Sequence, residues 1–216
     1  GASSVKTVNL PEKEDTLDGY EIGVYAFRGT SLASVTLPES LTAVNSSSFQ
    51  DCALLTEIVI PENVTLVGNE AFSGCKRLKS IKLGSKVSEI GYSAFNECVS
   101  LESIDLGNVQ KIGYNAFSGC TLMKELTIPK TVVEAGDGYW GGCIKESSVE
   151  TVIIEHGMKK IPEYLARECK TLKTVYLPDT VSEIGDYSFS GCSNLEKIYS
   201  NRSSFDFSAH SFEGCV

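Results

Sequence analysis

Eight cysteines and two histidines are the side chains of this sequence whose chemistry depends most on how they are spaced. The cysteines are Cys52, Cys75, Cys98, Cys120, Cys143, Cys169, Cys192 and Cys215, at intervals of 23, 23, 22, 23, 26, 23 and 23. Zinc sites draw thiolates from close pairs such as C-x2-C. No interval here is below 22, so no such pair exists. If each interval is one turn of a stacked chain, neighbouring cysteines lie about one strand spacing apart, within the ~4.4–6.8 Å Cα range of disulfides. Two facts argue against bridges. Thr30 fills the same slot, so the slot accepts a small side chain without a thiol. Equivalent residues of successive turns also point the same way, which is poor bridging geometry. The expectation is free, buried thiols that pack as small hydrophobes.

The histidines, His156 and His210, sit in no recognisable motif. A nucleophile pair between Cys169 and a histidine can be drawn, but a core cysteine near a surface histidine accounts for the same residues. No G-x-S-x-G, H-E-x-x-H, Walker loop or dinucleotide fingerprint is present. The sequence therefore assigns no catalytic, cofactor-binding or metal-ligating residue, and it reads as a non-enzyme.

What positions the cysteines is a repeat. Three residues before most of them stands an aromatic: Phe49, Phe72, Phe95, Phe117, Trp140, Phe189 and Phe212, with Phe27 ahead of Thr30. Before the aromatic comes an Ile-Gly pair, as at Ile22-Gly23, Ile90-Gly91, Ile112-Gly113 and Ile184-Gly185. After the cysteine comes Leu-x-x-Ile-x-Leu, closed by Pro or Gly. It runs in nine copies from Val5/Val8/Leu10 to Leu195/Ile198. The x-Ile-x-Leu stretch alternates apolar and polar, so it predicts a short strand with one buried face. Pro or Gly ends that strand. The Ile-Gly pair predicts a second tight corner using glycine's access to positive φ. The Ala-Phe-x-x-Cys stretch would tuck ring and thiol inward in a short helical turn. One such unit cannot cover its own apolar face, whereas stacked units can. The strands are then parallel and in register, and at ~4.8 Å per strand the stack is on the order of 40 Å long.

These residues resemble the BspA-like class of bacterial leucine-rich repeats. Leu78 to Cys98 reads LKSIKLGSKVSEIGYSAFNEC and Leu172 to Cys192 reads LKTVYLPDTVSEIGDYSFSGC. The Asn ladder of the commoner leucine-rich repeats is missing, which fits this class. The resemblance implies a right-handed α/β leucine-rich-repeat solenoid of nine stacked units, mostly short parallel strands with tight turns and short helical turns. It also implies an extracellular or cell-surface location and adhesin-like or protein-binding work. Residues 1–216 read as a single domain, with 1–30 as an N-terminal capping unit and 129–169 as irregular units.

The irregularities are specific. Unit one carries extra residues with Glu12, Glu14, Asp15 and Asp18, which fit a polar cap; a weak cation site is the alternative. Around Trp140, Ala135 replaces the usual Ile and Trp140 the usual Phe, a large-for-small exchange that would conserve core volume. Three extra residues are expected after Cys143, within Ile144–Ser148. Ala166 stands in the next aromatic slot with Leu165 beside it as a substitute filler, and Glu155-His156-Gly157 replaces the Pro turn. Residues 137–148 are expected to bulge, from function or from drift in a tolerant repeat.

The outward positions offer the best binding candidates. The second outward ladder reads Asn9, Thr36, Val59, Lys82, Asp105, Thr127, Ile153, Tyr176 and Tyr199. Its last three members, Ile153, Tyr176 and Tyr199, form an apolar and aromatic run on a solvent-facing edge. Such clusters mark interaction sites, though cross-strand packing alone also explains them. A second ladder, Lys79, Glu102, Lys124, Glu150, Lys173 and Glu196, alternates in sign and would fix register. Three N-x-S/T triplets begin at Asn45, Asn63 and Asn201.

The formal charge of −9 is a poor match for phosphate backbones, and no apolar run approaches the ~18 residues of a membrane helix. The chain opens Gly1-Ala2-Ser3-Ser4 and stops at Cys215-Val216. That reads as a trimmed start and an end short of the next strand. The expected partner is a protein, host or extracellular-matrix, or else a glycan, with no nucleic acid, no membrane insertion and no cofactor. A passive spacer within a larger surface protein is the alternative function.

Overall fold

The computed structural model describes residues 6–12 and 20–215. Val5, Glu14, Asp15 and Asp18 lie outside them. Each coil contributes to two ladders of short parallel strands. The first ladder comprises β1 (Thr7–Asn9), β3 (Ser34–Thr36), β5 (Glu57–Val59), β7 (Ser80–Lys82), β10 (Glu125–Ile128), β12 (Thr151–Ile154), β14 (Thr174–Leu177) and β16 (Lys197–Ser200). Pairing is in register, with Val152 opposite Val175 and Tyr176 opposite Tyr199. The alternating sequence sets the faces: Ile58 is buried between exposed Glu57 and Val59.

One expected strand is missing. The Leu101-to-Leu106 stretch buries Ile104 and Leu106 but joins no ladder. Its turn is the short one of the series. There the Asp105 carboxylate takes the amide of Gly107 at 3.0 Å and Gly107 turns at φ 51°. A local hydrogen bond thus replaces a ladder bond.

The Ile-Gly pairs, expected as corners, belong instead to a second ladder. It comprises β2 (Tyr20–Ile22), β4 (Leu41–Val44), β6 (Leu66–Val67), β8 (Glu89–Ile90), β9 (Lys111–Ile112), β11 (Glu134–Ala135), β13 (Lys160–Ile161), β15 (Glu183–Ile184) and β17 (Asp206–Phe207). At Gly68, Gly91, Gly113 and Gly185 the glycine that follows the strand is required for closeness rather than for φ. A Cβ on Gly113 would sit 2.3 Å from the backbone nitrogen of Tyr92, and one on Gly68 would sit 2.6 Å from that of Ser46. The amides gain from that approach: Gly68 N–H donates to Val44 O at 2.7 Å and Gly113 N–H to Ile90 O at 2.8 Å.

The Ala-Phe-x-x-Cys stretch forms turns, and no helix occurs among the described residues. The expected helical turn is replaced by a third set of bonds between coils. Ser47, Phe49 and Asp51 donate their amides to the carbonyls of Asn69, Ala71 and Ser73 at 2.7–2.8 Å. Left-handed residues at both ends of the stretch, such as Ser47 (φ 55°) and Asp51 (φ 59°), aim those amides at the next coil.

The core is one continuous column. Phe27, Phe49, Phe72, Phe95 and Phe117 stack nearly parallel at centroid spacings of 5.2–5.6 Å. Full burial of such rings contributes roughly 1.5–3 kcal/mol each. All eight cysteines are free, and all but Cys215 are fully buried. Most do more than fill space. Their thiols donate to the aromatic-slot carbonyl of the previous coil, as in Cys52 to Phe27 O at 3.1 Å and Cys75 to Phe49 O at 3.2 Å. Thr30, in the first of these slots, faces the next thiol instead, with its hydroxyl 3.4 Å from Cys52 Sγ. Burial pushes the thiols up, with Cys120 reaching about 12.

The irregular coil departs from its sequence reading. Phe117 N–H donates to Cys143 O, and Gly119 N–H to Glu146 O. The Phe117 bond places Cys143 in the alanine slot and Ile144 in the phenylalanine slot, and Ser147 N–H donates to Ile144 O at 3.2 Å as Cys75 does to Phe72 O, which puts Ser147 in the cysteine slot. Trp140 is therefore no core residue; it is 52% exposed. The extra residues lie before Cys143, not after it, as a loop closed by an antiparallel bridge between Asp137 and Gly141. Ile144 and Leu165, one in each of the two coils without a core aromatic, are both buried. Phe stacking resumes only at Phe189 and Phe212, 5.5 Å apart.

Candidate functional site

Ile153, Tyr176 and Tyr199 occupy equivalent positions on β12, β14 and β16. The two tyrosine rings stack at 4.9 Å with an interplanar angle of 11°. They remain 44% and 48% exposed, so their edges and hydroxyls face solvent; Ile153 is half-buried. The in-register strands dictate this arrangement, because identical side chains on neighbouring strands stand directly above one another. Beside the rings lies a shallow cleft of about 360 Å³, lined by His156, Tyr176, Pro178, Tyr199 and Asn201 among others. His156 Nε2 lies 3.4 Å from Asp179. The cleft thus offers aromatic edges, a proline and one ionisable pair, which suits peptide side chains better than bond-making chemistry.

The charge ladder closes only at its centre. Glu150 reaches Lys124 at 3.7 Å and Lys173 at 2.8 Å. Lys173 holds the Glu150 carboxyl below the usual range. A second alternation, missed in the sequence, runs on the other ladder, with Lys111 to Glu134 at 3.0 Å and Lys160 to Glu183 at 2.7 Å. Glu12, the described member of the N-terminal acidic group, takes the amides of Glu39 and Ser40 at 2.7 and 3.1 Å. These hydrogen bonds draw its carboxyl below the ordinary value. It caps the turn of the next coil, and Glu62 does the same for Ser85 at 2.7 Å.

A further aromatic surface escaped the sequence reading. Tyr92 and Tyr114 stack at 5.0 Å, Trp140 continues the row at 5.9 Å, and Tyr139 meets Trp140 edge-on at 4.8 Å. On the following coils Tyr164, Tyr187 and His210 form another row at 5.7 and 4.7 Å. Arg167 lies over Tyr164 and Tyr187 and donates to the carbonyl of Gly138, tying the 137–142 loop down. The available signal was the Gly-Tyr pair of two successive repeats, Gly91-Tyr92 and Gly113-Tyr114.

With two strand ladders, a phenylalanine column and a thiol ladder in place, the comparisons with known proteins decide the family. The model of the BspA type leucine-rich repeat region matches in six copies, over residues 2–121 and 107–216. The chain belongs to the BspA-type leucine-rich-repeat family. Among solved structures, a leucine-rich-repeat protein of T. pallidum is 29% identical over 72% of both chains, with a TM-score of 0.57. One from Eubacterium ventriosum is 16% identical, covering 92% of this chain and 67% of its own, with a TM-score of 0.53. The latter likeness is one of fold. No curated protein matches the chain.

BspA-type repeats are generally non-enzymatic, and leucine-rich repeats commonly act by binding proteins. No helix among the described residues is long and apolar enough to cross a membrane.

Proposed function

We propose that this BspA-type solenoid is a surface-displayed, adhesin-like module that binds a partner protein through the first strand ladder near its C-terminal coils. The observation that carries this reading is the Tyr176–Tyr199 stack, half exposed beside a cleft on rigid, in-register strands. Tyrosine presents a large amphipathic area at low entropic cost, and such residues dominate interface energetics. Ile153 extends the apolar surface by one coil. Extracellular-matrix or host proteins are the partner class that the family resemblance favours. Each tyrosine covers one face of the other, leaving fewer free ring faces for stacking on sugars, so a protein partner fits better than a glycan.

The test is capture of proteins from extracellular-matrix and serum fractions by the parent chain and by the Tyr176→Ala, Tyr199→Ala double variant. Partners retained by the parent and lost by the variant are expected. Equal capture by both removes the tyrosine face from the proposal. No capture by either moves the assignment to a passive spacer.

A further inference from the structure

The second ladder is broken at one level. β11 pairs with β9 and β13 pairs with β15, but β11 and β13 do not pair with each other. The cause is Pro162. It stands where the close-approach glycines stand in other coils, between Ile161 and the residue that begins the turn. Gly185, its counterpart one coil later, donates to Ile161 O at 3.0 Å, and Gly136, one coil earlier, donates to Ile112 O at 2.9 Å. Proline has no amide to donate. A Cβ at the Gly185 position would already lie 2.5 Å from the previous coil, and the proline ring is larger. Asn45, another residue in this slot, makes a bond of 3.3 Å, longer than the glycine bonds. Pro162 thus removes the hydrogen bond and holds the coils apart.

The parted edges enclose a cleft of about 730 Å³, lined by Val133, Ala135, Gly138, Lys159, Lys160 and Tyr164 among others. By the register of the neighbouring pairs, Val133 C=O and both backbone groups of Ala135 face this cleft from one lip. Both backbone groups of Lys160 face it from the other. Val133 is 65% exposed there. The charges on the lips are largely satisfied: Glu134 by Lys111, Lys130 by Glu155, and Lys160 by Glu183 and Glu163. Lys159 has no ion pair among the described residues.

We propose that this cleft binds an extended peptide segment of a partner protein, inserted as a strand between β11 and β13. Two facing strand edges with unused donors and acceptors are what an extended backbone satisfies on both of its sides. The strands on the two lips run parallel to each other, so one direction of insertion satisfies both. Lys159 selects for an acidic side chain on the incoming segment. This site lies on the other strand ladder from Tyr176 and Tyr199, so the two surfaces stand or fall separately.

The probe is a random peptide display library panned on the full chain, with the Pro162→Gly variant panned in parallel. Glycine restores the amide and the close approach, so the rung heals and the cleft closes. Enriched peptides should carry an acidic residue and bind Pro162→Gly about tenfold or more weakly. They should also lose binding when alternate backbone amides are N-methylated. On the parent chain, amide exchange at Ala135 and Lys160 should slow when such a peptide is added, and this reading holds even if the variant folds poorly. No enrichment over bare support, equal binding to the folded variant, indifference to N-methylation or unchanged exchange at those two amides each overturns the proposal.

Discussion

The amide of Gly185 reaches the carbonyl of Ile161 at 3.0 Å because nothing but hydrogen occupies the space of its missing side chain. A Cβ there would stand 2.5 Å from that carbonyl and 2.8 Å from the nitrogen of Glu163, both backbone atoms that cannot swing aside. Gly185→Ala should therefore part β13 from β15 and cost about 2 kcal/mol or more. Urea unfolding measures it. A loss below about 0.5 kcal/mol, the range of ordinary surface changes, would show that closeness is not what the slot demands.

Trp140 gives a sharper contrast. It is the only tryptophan, and at 52% exposure its emission should be red-shifted and open to acrylamide quenching in the folded protein. Trp140→Ala should cost less than about 1 kcal/mol, whereas Phe72→Ala should cost about 3–5 kcal/mol. Blue-shifted, quench-resistant emission in the native state would return Trp140 to the core.

The thiols predict an alkaline limit. Burial pushes the Cys120 and Cys143 thiols up to about 12 from an ordinary 9.0. A raised folded value means that the folded state holds the proton more tightly. That contribution is fully present below pH 9.0 and is lost as pH rises towards 12. Thermal melting points should decline over this window, and the native protein should resist thiol reagents near pH 8 until it unfolds. Rapid labelling of Cys120 or Cys143 without unfolding would contradict the buried ladder.

At the acid end the last coil should loosen first. The Asp186 carboxylate accepts from the Ser208 hydroxyl and faces His210 Nδ1 at 3.2 Å. The Ser208 bond, aided by His210, holds the carboxyl below its ordinary 3.8. A depressed folded value stabilises above pH 3.8 and is lost as pH falls through the folded value. Amide exchange at Ser208 and Ser211 should accelerate in that range. Asp186→Asn should show the faster exchange already at neutral pH and little further change on acidification.

The repeat period made most of this architecture legible. The register, the buried central residue of the inner first-ladder strands from Ile58 to Val175 and the phenylalanine column follow from equivalent residues recurring at one interval. The positions of Ile153, Tyr176 and Tyr199 also follow from it. The error at Trp140 came from treating Cys143 as the repeat marker. The sequence held a correction, since Cys143-Ile144-x-x-Ser147 has the shape of Ala-Phe-x-x-Cys, and Thr30 already showed that a hydroxyl serves in the thiol slot. The second ladder was hidden because its strands are two to four residues long and carry no alternation to detect. The cleft was hidden because a single Pro162 in place of glycine reads as drift until the distances between coils are known.

The break at Pro162 also bears on the line of the solenoid. On one side of that level β10 and β12 stay paired through four residues; on the other β11 and β13 are parted. A stack held at one edge and released at the opposite edge turns about the held edge. Tyr176 and Tyr199 lie on the downstream side of that level, so a change in the width of the gap would move them relative to the upstream coils. A pull along the stack would concentrate its strain there. A strand seated in the gap would set the angle, making the curvature of the molecule a variable that a single short segment can fix.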